Sequence, residues 1–365
     1  MSRPSSRFAD HVYRPVQGDP GMPAPAPVVS AAAMTRVQVL TPLSILVSAG
    51  TLIVTSILTR PRLNDVSEAH PTYLTPNAKW LMAYWSVIYL CQIGFALLCV
   101  VGQKPETKKL LASGVGVRLA LVNFLLAGWA VSWIINTHVS FIVGTSLLGA
   151  ITLVLLITAG LLAFWLPADS RHPLDWLFVH VPIKMLLVSM IAVDFGQQLF
   201  MALEWDGGKG HDLDASVWPT FYTLMGVGAF NSLWIFTFSD LTWAASGIVL
   251  NLALLAHPKI PRHARPAEVT AAIICSIALQ GTALLGSYAH KYIAHQREQR
   301  RIRLGSEDDA AARLQEAEAE AAAARARADA YAAQQNGGRL PHAGEDEEQG
   351  GVGVTRHLGS SGSSA

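Results

Sequence analysis

Charge is scarce in this sequence. Asp, Glu, Lys and Arg make up 15% of the 365 residues against 51% hydrophobic, and the mean hydropathy is +0.34. A soluble chain of this length needs more polar surface than that, so the solvent to be expected is a lipid bilayer. The net charge is only +1, which excludes the broad basic field by which proteins hold nucleic acid. Cysteine is nearly absent too. Cys91, Cys99 and Cys275 all lie in apolar stretches and read as small packing residues rather than as a disulfide framework or a metal site. There is no Gly-rich phosphate loop, no His-Glu-x-x-His and no Gly-x-Ser-x-Gly elbow, so the sequence offers no cofactor, no metal and no enzyme chemistry that can be named.

Long apolar runs, by contrast, recur at 37–59, 80–102, 117–136, 139–166, 176–203, 217–239, 241–256 and 268–290. About 20 helical residues cross ~30 Å of hydrocarbon, so the fold class expected is all-α, a polytopic transmembrane bundle of about eight spans, with the seventh short. The connections Asn136–Val139 and Ser239–Leu241 leave room only for tight turns, which makes the third and fourth spans, and the sixth and seventh, antiparallel hairpins. Lys and Arg in the loops divide fourteen to seven in favour of the side that holds both ends of the chain, so both termini are expected to be cytosolic. The acidic loop Glu204–Asp214 then lies on the outer or lumenal face. Its His211, Asp212 and Asp214 lack calcium-loop spacing and read as a solvated turn.

Residues 1–36 read as a disordered tail. Asp10, Asp19 and several prolines oppose an amphipathic presequence, so an endomembrane or plasma-membrane location is favoured over a mitochondrial one. Residues 37–292 form the transmembrane domain and 293–338 a basic juxtamembrane segment with an Ala-rich helix; 339–365 form a second disordered tail. The basic run Lys291–Arg303 sets orientation and is suited to anionic lipid headgroups. Ser306 with Asp309 makes a capping box for a solvated helix over 307–335.

Away from the ends of the spans only two charged side chains remain, Lys184 and Asp194, both in the fifth. An ionisable group in hydrocarbon costs roughly 2.5–3.5 kcal/mol on insertion scales, which makes each a candidate functional residue. Asp194, Gln197 and Gln198 stand at i, i+3 and i+4, one helix face, and His180 returns to nearly the same face. Asp194 is then either a packing hydrogen-bond partner or an anchor or proton carrier facing a cavity. Lys184 lies ten residues from Asp194, about 15 Å along the axis, so the two cannot pair; it reads as a snorkelling anchor. Gln92, Asn123, Asn231, Asn251 and Gln280 read as interhelical hydrogen-bonding groups. Of the ten tryptophans, six fall near span ends, where an aromatic belt accounts for them. Trp85, Trp129, Trp133 and Trp234 lie deeper and need another account.

The stretch Leu74-Thr-Pro-Asn-Ala-Lys-Trp-Leu-Met-Ala-Tyr-Trp-Ser-Val-Ile-Tyr89, then Trp129-Ala-Val-Ser-Trp133, Pro182, Trp205-Asp-Gly207, Trp218, Asp240 and Trp243 resembles, in order, the tryptophan-rich sensory protein and translocator-protein family, in its longer relatives. Pro76 to Trp85 is one residue longer than the family's spacing. Leu126, Ser189 and Gln197 depart from its pattern at pocket positions, which leaves the ligand open. The resemblance implies a helical bundle around an apolar cavity that takes a tetrapyrrole, sterol or lipid-like molecule. Together with the residues above, it makes the chain a membrane protein that binds or transports a small, mostly apolar ligand, through Trp85, Tyr89, Trp129, Trp133, Asp194, Gln197 and Gln198. Two rivals are a proton-coupled carrier using Asp194, for which no inverted repeat is visible, and a structural protein recruiting partners by its C-terminal tail. An intramembrane enzyme using Asp194 and His180 lacks a nucleophile, a metal site or an acid–base pair.

Overall fold

Large apolar side chains such as Leu46, Leu97, Leu153 and Leu285 face outward, while Gln92, Asn123, Gln198, Asn231 and Gln280 are fully buried. This is the inverse of a soluble protein and what a lipid solvent selects. The computed structural model describes residues 30–102, 104–168, 172–208, 212–256 and 265–336, apart from the side chains of 302–308 and 333–336. The described residues contain helices and no strands. Seven helices are long and apolar enough to cross a membrane: α1 Ala31–Ile57, α3 Ala78–Val101, α4 Arg118–Ile135, α5 His138–Phe164, α6 Pro173–Ala202, α7 Leu213–Phe238 and the first part of α9, Ala267–Arg301. The eighth apolar helix, α8 Leu241–Leu255, has only fifteen residues. Short α2, Leu63–Ala69, lies between α1 and α3, and Pro105–Lys109 leads into a π-helical Leu110–Val115 between α3 and α4.

The two tight turns use one device. Asn136 and Ser239 each close a helix in the left-handed conformation, at φ 54° and 52°, and the next residue, Thr137 or Asp240, caps the following helix with its side chain. The hairpins α4–α5 and α7–α8 follow, and the two helices of each are in contact, most extensively in α4–α5. Helix α6 touches α3, α5 and α8. It is the most enclosed span, with 67% of its apolar window buried against 22% for Leu213–Phe238. Helix α9 approaches α7 and α8 through Ser276, which accepts a hydrogen bond from Asn251 Nδ2 at 3.3 Å.

Two expected boundaries move. Helix starts at Ala31 rather than near 37, because Ser30 caps it by accepting from the Ala33 N–H at 3.2 Å. Residues 1–29 and 337–365, with most of both expected tails, lie outside the described residues. Helix is unbroken through Ser306, since α9 runs from Ala267 to Asn336. Gly305 costs only about 1 kcal/mol against the strong helix formers on either side, too little to force a new start. The chain divides into two compact units, the first ending at Tyr292 and the second beginning at Ile293; along the second, residues 309–332 are exposed throughout.

Between α1 and α3 the chain folds over one end of the bundle. Trp133 Nε1–H donates to the Leu63 carbonyl at 3.1 Å, and Gln197 Nε2 donates to Ser67 and Thr75, both at 3.2 Å. Gly207 N–H meets the Pro71 carbonyl at 2.7 Å, and His70 Nδ1 meets the buried Asp206 carboxylate. Tyr73, almost wholly buried, donates its hydroxyl to Asp214 at 3.1 Å. Burial first, and the Asp214 bond second, push the Tyr73 phenol above its ordinary value. A phenol raised in the folded state supports folding below the ordinary tyrosine value, near pH 10, and that support drains away as pH rises further. Tyr73→Phe is expected to cost about 1 kcal/mol at pH 7 and to flatten the fall in melting temperature above pH 10, as read by thermal unfolding in detergent.

Candidate functional site

Helix α6 is not a plain α-helix. It widens into π-helical turns at Trp176–His180 and Met190–Asp194, so that His180 and Asp194 each end one. Such turns recur at functional sites because the extra residue leaves backbone groups and side chains out of the regular ladder. Asp194, 6% exposed, accepts a hydrogen bond from Ser189 on its own helix at 2.5 Å, and no cation pairs with it among the described residues. Tyr84 lies within electrostatic reach of Asp194 and donates its hydroxyl to the Met185 carbonyl at 2.7 Å, one turn before the second π-turn.

The expected polar stripe fans out to different neighbours. Gln197 turns to the α1–α3 connection. Gln198, fully buried, turns the other way: its carbonyl accepts from Trp129 Nε1–H at 3.2 Å, and its amide donates to the Phe141 carbonyl at 3.2 Å. Trp129 stands edge-on to Trp133, ring centres 5.6 Å apart. Trp129, Trp133 and Gln198 thus form one cluster joining α4, α5 and α6. Trp85 and Tyr89 form a separate pair on α3, ring centres 6.1 Å apart and both half-buried. Trp85 packs against the same apolar core.

Gly144 on α5 makes the Trp129–Gln198 approach possible. A methyl there would sit 2.8 Å from Gln198 Nε2 and 3.0 Å from Ser132 Oγ. Gly144→Ala is therefore expected to cost about 1–3 kcal/mol as overpacking and to change the tryptophan emission, measured by thermal unfolding and fluorescence on one sample.

Lys184 does not snorkel. Its ammonium lies 2.6 Å from Asp240 Oδ2, with side-chain exposures of 12% and 6%. Asp240 sits in the α7–α8 turn, and its Oδ1 also accepts from the Trp243 backbone N–H at 3.2 Å. His180 is within electrostatic reach of both. Sequence reading placed Asp240 in a loop and so missed the pair. The signal was there: a lysine inside a span needs an anion, and a two-residue turn carrying an acid at a span end can supply it. Among the described residues no three His, Cys, Asp or Glu side chains gather to hold a metal ion; His211 lies outside them.

Comparison with known proteins gives one family. Residues 37–285 match the family model of the TSPO-like proteins. No curated protein matches the chain, and no solved structure does. The matched segment runs from within α1 into the membrane-long part of α9 and takes in both π-turns of α6, and since it covers well over half of the sequence, this integral membrane protein belongs to the TSPO-like protein family.

Proposed function

We propose that the protein binds or carries a small, mostly apolar ligand, of tetrapyrrole, sterol or lipid-like character, within the bundle beside α6. The observation that carries this reading is the Trp129–Gln198 hydrogen bond in the most enclosed part of the bundle, with Trp133 edge-on beside it. Aromatic walls fixed by a few polar anchors are what an apolar ligand site needs, and membership of the TSPO-like family points the same way. Trp129, Trp133 and Gln198 form the wall on one side and Trp85 and Tyr89 the α3 wall, with Gln197 toward the loop that covers the bundle end and Asp194 as polar anchor. The role is binding rather than catalysis. Both termini are cytosolic in this reading, with the basic stretch Lys291–Arg303 at the headgroups of the cytosolic leaflet. Thermal unfolding of the purified protein with porphyrins, sterols and phospholipids tests it: a ligand at about 100 times its Kd adds ~2.7 kcal/mol, and the reading fails if no compound raises the melting temperature.

A second reading, proton-coupled transport through Asp194, is favoured by one fact: this carboxylate is buried with its hydrogen bond on its own helix, while the span's lysine is committed to Asp240. Uptake into vesicles that ignores a pH gradient would dispose of it.

A further inference from the structure

Residues 309–332 of α9 are exposed throughout, and the two large apolar side chains among them, Leu314 and Tyr331, are 63% and 70% exposed. Both fall on one face. Leu314, Ala317, Ala321, Ala324, Ala328 and Tyr331 follow one another at alternating steps of three and four, the a/d spacing at which a helix presents a continuous seam to a neighbour. Alanine along a face names no partner by itself. The charges beside it do. With Leu314 at a and Ala317 at d, Arg313 and Glu320 take g positions and Glu318 and Arg325 take e positions. In a symmetric parallel pair each g residue meets the e residue of the following heptad in the other helix, so Arg313 meets Glu318 and Glu320 meets Arg325, each contact occurring in both directions. Every one of these contacts joins opposite charges. Among the described residues none of the four side chains has an ion pair within its own helix, and none stands three or four places from another of opposite sign, the spacing that would supply one.

The surface of the helix agrees with the pattern. A groove on it is lined by Asp309, Ala310, Arg313, Leu314 and Ala317. Ala310, Arg313, Leu314 and Ala317 stand at d, g, a and d, the four residues that make the hole for an a-position knob of a facing helix. Leu314 of a second copy is such a knob. Two copies inserted in one bilayer share an orientation, so their C-terminal segments leave it on the same face and run in the same direction.

We propose that residues 309–332 pair with the same segment of a second copy as a parallel two-stranded coiled coil, which makes the protein a dimer through its C-terminal helix. A seam of mostly alanine buries little apolar area, so the pairing relies on its flanking charges and on the high effective concentration of two chains held in one membrane. It owes nothing to ligand binding within the bundle.

Disulfide trapping of the full-length protein in phosphatidylcholine vesicles tests it. Ala317→Cys or Ala324→Cys places a thiol at d and Ala319→Cys or Ala326→Cys at f, while the unsubstituted protein gives the background of Cys91, Cys99 and Cys275. Facing d residues of a parallel pair come within the roughly 4.4–6.8 Å between Cα atoms that a disulfide spans, and f residues do not. Cross-linked dimer should form in the d-position proteins and stay at background in the f-position ones. Adding Glu318→Arg/Arg325→Glu to Ala317→Cys sets like charges together in every pair without altering net charge, and should slow cross-linking about tenfold or more. Adding Arg313→Glu/Glu320→Arg as well makes each pair opposite again and should restore the rate. Cross-linking that is equal at d and f, that ignores the first charge reversal, or that the second fails to restore overturns the proposal. So does its absence, the result expected of a helix whose partner is a different protein.

Discussion

Lys184→Met should be among the most damaging single substitutions in the protein, lowering stability by about 3–5 kcal/mol, because it leaves the Asp240 carboxylate buried without its cation. The two partners should not respond alike. Asp240→Asn still strands the ammonium but keeps a residue able to cap α8, so the helix start survives. The double substitution Lys184→Met/Asp240→Asn removes both charges together, and replacing a buried pair by uncharged groups of similar volume is often close to neutral. Thermal unfolding of the four proteins in one detergent closes the double-mutant cycle. The expected outcome is two strongly destabilised single variants and a double variant near the native protein, with a coupling of a few kcal/mol between sites 2.6 Å apart. A Lys184→Met protein as stable as the native one would mean that the lysine does reach the headgroups.

Trp129→Ala should be comparably severe, at about 3–5 kcal/mol, since it empties a large indole volume that the helices around it cannot fill. It also takes the hydrogen bond from Gln198, whose carbonyl is then buried with no donor. Trp129→Phe separates the two terms: it keeps most of the apolar volume and loses the N–H, and about 1–3 kcal/mol is expected. Hydrogen bonds within membrane bundles average only ~0.6 kcal/mol, so a value at the low end for Trp129→Phe, beside a large one for Trp129→Ala, would mean that packing rather than the hydrogen bond holds this cluster.

The membrane fold was legible because its signal is additive: each span repeats the same apolar composition over a length set by the bilayer, and the two-residue turns fixed which spans lie side by side. Individual contacts were harder to read. The common face of Asp194, Gln197 and Gln198 does lie on regular helix from Phe195 onward, but the adjacent glutamines meet different neighbours, the loop folded over the bundle end and Trp129, while the π-turn at Met190–Asp194 alters the register with His180. No periodicity in the sequence marks a π-turn. Trp129 and Trp133 stood out by type and depth, yet that Gln198 fixes Trp129 depends on Gly144 letting two helices close in. Asp240 escaped notice as the partner of Lys184 because its turn looked like solvent, although the lysine opposite already required an anion. Trp234, left without an account by the belt, finds one in its stacking on Trp243 across the α7–α8 hairpin, ring centres 4.5 Å apart.

The most direct test of ligand binding beside α6 uses compounds that carry no charge and so owe nothing to Lys184: cholesterol and protoporphyrin IX dimethyl ester, added to the purified protein during thermal unfolding. At least one should raise the melting temperature of the native protein and of Lys184→Met/Asp240→Asn, and should do so far less in Trp129→Phe and Gln198→Leu. A shift of equal size in all four proteins, or none in the native one, would contradict the account.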